Sequence, residues 1–335
     1  MSRYLVTGAT GFLGGHLVER LRGAGHEVVA LGRGNDEARL RDLGATVRRG
    51  DVLDSASVAD AAAGCEGVFH CAGKVSRKAE DAADLFRVHV DGTRTTLEAC
   101  RKAGVRRAVV ASTSGVVAVS KEARVRAESA EAPTDLIGRW PYYRSKLYAE
   151  QAAFEQSRDG LEVVAVSPSL LLGPGDTRGS STGDVVKFLD RKVPMVPAGG
   201  LSFVDVRDAA EAMALAMDRG RAGQRYLVGG ANMTVAAFFQ RLERISGVPA
   251  PRLGAPRGMG LARFGADVME RVARRLDREP PVDRISVEMA QCFWYVDSSK
   301  AKRELGWEPR DPSDTLADTV RDLYARGVVW PRAAS

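Results

Sequence analysis

Two side chains in the stretch RWPYYRSKLYAEQ, residues 139–151, have the chemistry and the spacing of a proton-transfer pair. Tyr142 and Lys146 are four residues apart, so on a helix they share one face and lie about 6 Å apart along its axis. A free phenol has a pKa near ~10 and is a poor acid–base at neutral pH, but a neighbouring ammonium group favours the phenolate. The stretch alone predicts either a general acid–base tyrosine tuned by a lysine or an amphipathic helix with aromatic packing.

A glycine-rich turn near the start of the chain indicates a ligand site. The stretch TGATGFLGGH follows the apolar run YLVT and places Gly8, Gly11 and Gly14 in a GxxGxxG pattern ahead of a helical pattern. Glycines there allow a tight turn, a close approach of backbone to a pyrophosphate, and close packing of a helix whose positive end faces the phosphates. Strand, turn and helix in this order predict a dinucleotide site, which favours the acid–base interpretation of Tyr142.

The elements that position these residues alternate between two hydrophobic periods. Helical patterns separate short apolar runs typical of buried strands, namely YLVT, EVVAL, GVFHCA, RAVVAS and LEVVAVS. This alternation predicts an α/β fold, a doubly wound parallel sheet of the Rossmann type. We expect a dinucleotide-binding domain over residues 1–167, to which 202–229 returns. A smaller, mostly helical substrate-binding lobe would comprise 168–201 and 230–335.

The end of the second apolar run indicates which dinucleotide binds. An NAD site usually places an Asp or Glu there to hold the ribose hydroxyls. The stretch VVALGRG instead has Gly32 at that place and Arg33 next. A guanidinium group can chelate a phosphate through two hydrogen bonds, so the pattern favours NADP(H) over NAD(H).

Several further motifs, taken in order, resemble the extended short-chain dehydrogenase/reductase family. They are TGATGFLG, GDVLD, VFHCAG, HVDGT, YYRSK, SPSLLLGPGD, FVDVRDAAEA and WYVDSSKAKRELGW. The resemblance spans nearly the whole chain. Within the family, the chain is most similar to the dihydroflavonol-reductase, 3β-hydroxysteroid-dehydrogenase and NAD-dependent epimerase/dehydratase-like groups.

The resemblance implies roles for individual residues. Tyr142 would be the proton donor and acceptor. Lys146, together with the positive nicotinamide, would lower the pKa of Tyr142, and Lys146 would also hold the ribose. Ser114 would polarise the substrate carbonyl, with Ser112 as the alternative. The implied cofactor-binding set is Gly8, Gly11, Phe12, Leu13, Gly14, Arg33, Asp51, Val52, Cys71, Ala72, Gly73, Lys146, Ser167, Pro168 and Ser169.

One position departs from the family pattern. Where the family usually has asparagine in an NVxGT motif, this chain has HVDGT, with His89 in that place. The asparagine commonly supports the active site through a bonded water or backbone. A histidine there either does the same or merely packs, and both interpretations stay open.

The substrate lobe separates two kinds of reaction. Nucleotide-sugar epimerases of this family usually carry a diphosphate-binding arginine ahead of the D-x-SKA motif, a place that falls near Val287. The stretch EMAQCFW around it is apolar and aromatic, which suits a lipophilic substrate. We therefore expect an NADP(H)-dependent oxidoreductase that interconverts a ketone and a secondary alcohol. The alternatives are a nucleotide-sugar epimerase or dehydratase with tightly bound NAD and, third, a non-catalytic NADP-sensing regulator.

Composition restricts partners and location. The formal net charge is +6, but basic residues are mixed with 43 acidic ones, so we interpret the surface as solvated and expect no nucleic-acid partner. The four cysteines and four histidines lack metal-ligand spacing, so no metal is expected, and the thiols are typical of a reducing compartment. No signal-like start or apolar run of membrane-spanning length is present, which predicts a cytoplasmic protein.

Two expectations concern larger surfaces. A basic amphipathic helix over residues 258–279 is typical of an element that caps a pocket, and less often of one that makes weak contact with a membrane surface. The family resemblance also implies a homodimer, formed through the helix near 84–103 and the helix that carries Tyr142.

Overall fold

The computed structural model describes residues 1–34, 37–157, 160–255 and 284–330. Within them lie ten strands: β1 (Arg3–Thr7), β2 (Glu27–Gly32), β3 (Thr46–Arg49), β4 (Gly67–His70), β5 (Arg107–Ala111), β6 (Glu162–Pro168), β7 (Leu170–Leu172), β8 (Gly200–Asp205), β9 (Arg225–Val228) and β10 (Ala231–Thr234). Seven of them form a parallel sheet in the order β3-β2-β1-β4-β5-β6-β9. The predicted doubly wound sheet is confirmed.

The described helices lie between the strands and after the last of them. They are α1 (Phe12–Gly23), α2 (Glu37–Asp42), α3 (Ser55–Ala62), α4 (Ala82–Phe86), α5 (Gly92–Lys102), α6 (Thr134–Ile137), α7 (Pro141–Gln156), α8 (Gly183–Leu189), α9 (Val206–Arg219), α10 (Val235–Ser246), α11 (Arg284–Ala290), α12 (Ser299–Leu305) and α13 (Pro312–Ala325). A π-helical turn, Arg87–Asp91, joins α4 to α5. The amphipathic pattern at 258–279 lies outside the described residues.

Helices cover both faces of the main sheet because the central strands are apolar on both sides. Val6 of β1 packs in one core with α1 and α9, whereas its neighbour Leu5 packs in the opposite core with α3 and α5. Trp307 is completely buried in the first of these cores, and its indole N–H donates to the Asp208 carbonyl oxygen at 2.8 Å.

The smaller part of the molecule has its own sheet and core. Strands β10, β8 and β7 form a three-stranded sheet, antiparallel between β10 and β8 and parallel between β8 and β7. Phe188, Phe203 and Phe238 belong to the core beside it. In the returning segment, α9 and β9 rejoin the main sheet, whereas β8 pairs in the smaller one.

Candidate active site

The tyrosine helix, α7, contacts the carboxyl end of β5. Pro141 occupies the first turn of α7, where a missing backbone N–H costs nothing. Lys146 on the next turn donates from Nζ to the carbonyl oxygen of Ala111, the last residue of β5, at 2.6 Å. Burial lowers the pKa of Lys146 to about 8, and Glu150 opposes this shift. The lysine is therefore tied to the carboxyl edge of the sheet.

Tyr142 is half-buried on α7. Burial raises its pKa above the ordinary value, and Tyr143 adds to the shift. In the protein alone burial dominates, because the loss of water around the phenol disfavours the phenolate. The lowering that we expect from Lys146 together with a bound nicotinamide stays a prediction. At neutral pH the tyrosine is thus protonated, the form that can give a proton to a carbonyl oxygen.

The two candidate serines occupy different surroundings. Ser114 is buried and opens a 3₁₀ turn, Ser114–Val116, at which the Thr113 side chain accepts a hydrogen bond from Gly115. Ser112 lines a small internal void with Lys146 and Glu150, and its buried hydroxyl has no hydrogen-bond partner among the described residues.

An aromatic cluster lies directly beside Tyr142. The ring of Tyr143 is 5.0 Å from that of Tyr142 and 4.9 Å from that of Trp294, measured between centroids. Trp140 completes the cluster at 5.5 Å from Trp294. A β-carbon on Gly115 would lie 2.2 Å from the Tyr143 ring, so only glycine lets the ring pack against this turn. Trp294 belongs to the apolar C-terminal stretch singled out from the sequence.

The glycine-rich turn has the close contacts that a phosphate-binding loop requires. Gly8 has φ +67°, and a β-carbon on it would lie 2.6 Å from the backbone nitrogen of Ala72. A β-carbon on Gly14 would lie 2.2 Å from the carbonyl oxygen of Gly8. Helix α1 begins after Gly11, which provides no side-chain cap for the first N–H groups. The cradle therefore fits a dinucleotide diphosphate.

The part of the site predicted to bind the adenosine half of the dinucleotide, here called the adenosine end, lies where β2 and β3 end. Arg33 is exposed just after β2, and the strand register places Arg49 opposite Gly32. Arg49 also approaches Glu37, with 3.6 Å between Nε and Oε1. Sequence reasoning missed Arg49, because its strand TVRR is largely exposed and lacks an apolar run.

The predicted adenine-flanking pair also lies near this edge. The Asp51 carboxylate accepts from the Leu53 N–H at 3.0 Å, and Val52 packs against Gly92 at the start of α5.

The remaining predicted cofactor residues follow β4 and β6. Cys71, Ala72 and Gly73 leave the end of β4, and burial raises the pKa of the Cys71 thiol to about 12. Ser167 and Pro168 close β6, and the Ser169 N–H donates to the Val228 carbonyl oxygen at 2.9 Å. These segments meet Lys146 at one edge of the sheet, because carboxyl ends of parallel strands share an edge.

A buried ion pair behind Lys146 was not anticipated. Glu150, one turn further along α7, is 3% exposed, and its Oε1 accepts from Arg225 Nε at 2.8 Å. Arg225 begins β9 and also donates to the Glu128 carbonyl oxygen at 3.3 Å. The spacing of Glu150 from Lys146 was visible in the sequence, but its partner lies 75 residues away.

The described residues lack two kinds of feature. In this part of the chain, no helix has the length and apolar character needed to cross a membrane. In the same residues, no group of three or more His, Cys, Asp or Glu side chains could hold a metal ion.

A glycine cradle and a tyrosine–lysine pair at the carboxyl edge of a parallel sheet define an NAD(P)-dependent oxidoreductase acting on CH–OH groups. Comparison with known proteins agrees. The chain belongs to the NAD dependent epimerase/dehydratase family, whose model matches residues 4–229. It is thus an extended short-chain dehydrogenase/reductase, as the sequence motifs predicted.

Two curated relatives cover nearly the whole chain. It is 35% identical to the "Putative dihydroflavonol 4-reductase" of Synechocystis sp., over 97% of this chain and 96% of that protein. It is 34% identical to "Sterol demethylase protein B" of Methylococcus capsulatus, over 97% and 99%. Among solved structures, a dTDP-glucose 4,6-dehydratase from Streptomyces venezuelae with NAD bound matches with TM-score 0.75 and 25% identity, over 98% and 99%.

Proposed function

We propose that the protein is an NADP(H)-dependent reductase that interconverts a ketone and a secondary alcohol on a fairly apolar, dihydroflavonol-, steroid- or lipid-like substrate. The observation that carries this proposal is the packing of the Tyr142 ring beside the Tyr143–Trp294 aromatic pair. Such a wall favours flat or apolar molecules, while the phenol supplies the one proton that reduction of a carbonyl needs. The names of the two curated relatives agree with an apolar substrate.

The chemistry divides between cofactor and protein. A bound nicotinamide supplies or accepts the hydride. In the reductive direction, Tyr142 protonates the substrate oxygen and Lys146, tied to Ala111, holds the phenol and the ribose in place. Ser114 polarises the carbonyl. We prefer it to Ser112 because the Ser112 hydroxyl lines the internal void behind Lys146.

The preference for NADP(H) is supported by charge at the β2–β3 edge. Gly32 offers no carboxylate to the ribose, whereas Arg33 directly follows β2 and Arg49 is the last residue of β3. An additional phosphate on the ribose would meet two guanidinium groups.

A nucleotide-sugar epimerase or dehydratase with tightly held NAD is the second candidate. The family description and the sugar-dehydratase neighbour favour it. Two observations argue against it. The family's diphosphate-binding arginine is missing at the position near Val287, and Trp294 packs against Tyr143. A non-catalytic regulator ranks third, since it would have no use for Tyr142, Lys146 and Ser114 together.

The test combines native mass spectrometry with a carbonyl panel. We expect the purified protein to exchange NADPH readily, to show no affinity for UDP-sugars, and to consume NADPH with apolar ketones. Tyr142→Phe should lower kcat by roughly 10³-fold with little change in NADPH affinity. Tyr143→Phe, which keeps the aromatic wall, is the matched control. Slowly exchanging NAD together with UDP-sugar binding would replace this proposal with the epimerase.

The assembly that we propose is a homodimer. Phe86 of α4 and Tyr148 of α7 are 42% and 45% exposed, and their rings contact each other at 6.2 Å. This apolar pair lies on the two helices that the family resemblance assigns to the interface. Sedimentation of the Phe86→Glu variant as a monomer, against a wild-type dimer, would support the assignment. We also propose the two-lobe division given above, with the smaller lobe binding substrate.

A further inference from the structure

His89 occupies a buried position between the cofactor-lining turn and the catalytic helix. It lies in the π-helical turn Arg87–Asp91 and is 2% exposed. Its ring stands edge-on to the Tyr142 ring, with 5.7 Å between centroids. A π-helical turn inside a helix re-aims side chains and is common at functional sites.

Both ring nitrogens of His89 are engaged in hydrogen bonds. Nε2 lies 3.1 Å from the backbone nitrogen of Lys74. Nδ1 lies 2.8 Å from Ser145 Oγ, and that hydroxyl lies 2.8 Å from the Tyr142 carbonyl oxygen. The ring thus links the turn after β4 with the first turn of α7.

The donors and acceptors permit one tautomer. The Lys74 backbone N–H can only donate, so Nε2 must be unprotonated and accept. Nδ1 then carries the hydrogen and donates to Ser145, whose own hydrogen goes to the Tyr142 carbonyl oxygen. Burial, with Lys146 and His70 adding to it, lowers the pKa of His89 to about 2, so the neutral ring persists at every working pH.

This geometry argues against a proton relay through His89. Neither ring nitrogen is directed at the Tyr142 phenol oxygen, because both are used elsewhere. The ring instead holds backbone on both sides: the Lys74 N–H directly, and the Tyr142 carbonyl oxygen through the Ser145 hydroxyl. A β-carbon on Gly73 would lie 3.1 Å from Nε2, so the ring also packs tightly under this turn.

The turn held by His89 is anchored a second time by charge. The side chain of Lys74 donates to Asp81 at 2.7 Å and to Asp84 at 3.2 Å. These partners fix the outer side of the turn, and the histidine fixes its inner side. Cys71, Ala72 and Gly73 lie between β4 and this anchor, in the segment proposed to line the cofactor.

We propose that His89 is a positioning residue that fixes the cofactor-lining turn and the backbone of Tyr142 through the two sides of one ring. Its kinetic part rests on the proposed reductase function. An asparagine amide at this position could replace Nδ1 toward Ser145 but would end short of the Nε2 position. The substitution of histidine for the family asparagine therefore adds a direct bond to the turn after β4.

Three variants separate the two sides of the ring. Ser145→Ala removes only the tyrosine side, so kcat should fall about tenfold while the NADPH dissociation constant stays unchanged. His89→Asn keeps the tyrosine side, so kcat should stay within about threefold of wild type while the dissociation constant rises about tenfold. His89→Leu should show both losses. Retention of wild-type kcat and NADPH affinity in His89→Leu would overturn the proposal.

A second measurement does not depend on turnover. Nitrogen-resolved NMR of the histidine rings should show His89 with hydrogen on Nδ1 and no titration from about pH 5 to 9. Hydrogen on Nε2, or titration in that range, would overturn the proposal even in an active enzyme. If the protein reduces no carbonyl compound, the reductase function fails, while the tautomer and the NADPH dissociation constants still decide the role of His89.

Discussion

The two ends of the proposed dinucleotide site differ in how far their charged groups are removed from water. At the tyrosine end, Glu150 is 3% exposed and burial lowers the pKa of Lys146 to about 8. At the adenosine end, Arg33 is exposed and the Arg49 side chain is 79% exposed. Water screens an exposed charge strongly and a buried charge weakly. We therefore expect large, salt-insensitive effects from changes at the first end and small, salt-dependent effects at the second.

Among the charged groups at the two ends, the largest effect should come from Lys146→Met. We expect kcat to fall by roughly 10²- to 10³-fold because the phenol and the ribose lose their partner. The exposed Lys102, replaced by methionine, is the matched control. Wild-type turnover in Lys146→Met would show that Lys146 takes no part in the reaction, and the proposed difference between the two ends of the site would then be wrong.

The same variant should be more stable at neutral pH. Burial lowers the pKa of Lys146 from 10.5 to about 8, so the unfolded chain holds this proton more tightly. Below about pH 8, the folded protein carries the full free-energy cost of burying the protonated lysine. This cost disappears as pH rises above 10.5, because the lysine is then neutral in both the folded and the unfolded state. We expect Lys146→Met to gain about 2 kcal/mol of unfolding free energy near pH 7 in urea titrations, and less near pH 10.

Glu150→Gln, by contrast, should destabilise the fold. It leaves Arg225 without its buried carboxylate, a loss that typically costs about 3 kcal/mol of unfolding free energy. The variant should also have a Lys146 pKa below the wild-type value, since Glu150 raises it. Glu155→Gln on the same helix, 57% exposed and 3.8 Å from Arg94, should change stability by less than about 0.5 kcal/mol. Equal urea midpoints for the two variants would contradict the assignment.

At the exposed end, Arg33→Ala should weaken NADPH binding about tenfold and leave NADH binding unchanged. Calorimetric titration of both cofactors measures the difference. Equal losses for the two would show that Arg33 does not contact the additional phosphate.

The smallest effect should come from Arg49→Ala, a loss of about threefold in NADPH affinity that disappears at high salt. Arg48→Ala is the matched control, because adjacent strand residues point to opposite faces. A loss that persists at high salt would mean that this end is less exposed to water than the structure indicates.

Much of the main sheet was predictable because its central strands are buried on both faces. The runs at β1, β2, β4, β5 and β6 are apolar for that reason. Strand β3 was not identified, because an edge strand with three largely exposed residues carries no such pattern. The short strands β7 and β10 were missed in a lobe interpreted as mostly helical, and β8 was missed in the segment predicted to return to the main sheet, because three to six residues among glycines and prolines resemble loops.

The sequence by itself determined the glycine turn, the tyrosine–lysine spacing and the absence of a carboxylate after β2, because each depends on residues near one another along the chain. Only the tertiary structure decided which distant groups meet them: Ser145 with His89, Arg225 with Glu150, and Trp294 with Tyr143. It also decided that burial raises the pKa of Tyr142 in the protein alone. The physical reason is that hydrogen bonding and desolvation depend on neighbours in space, which local periodicity does not encode.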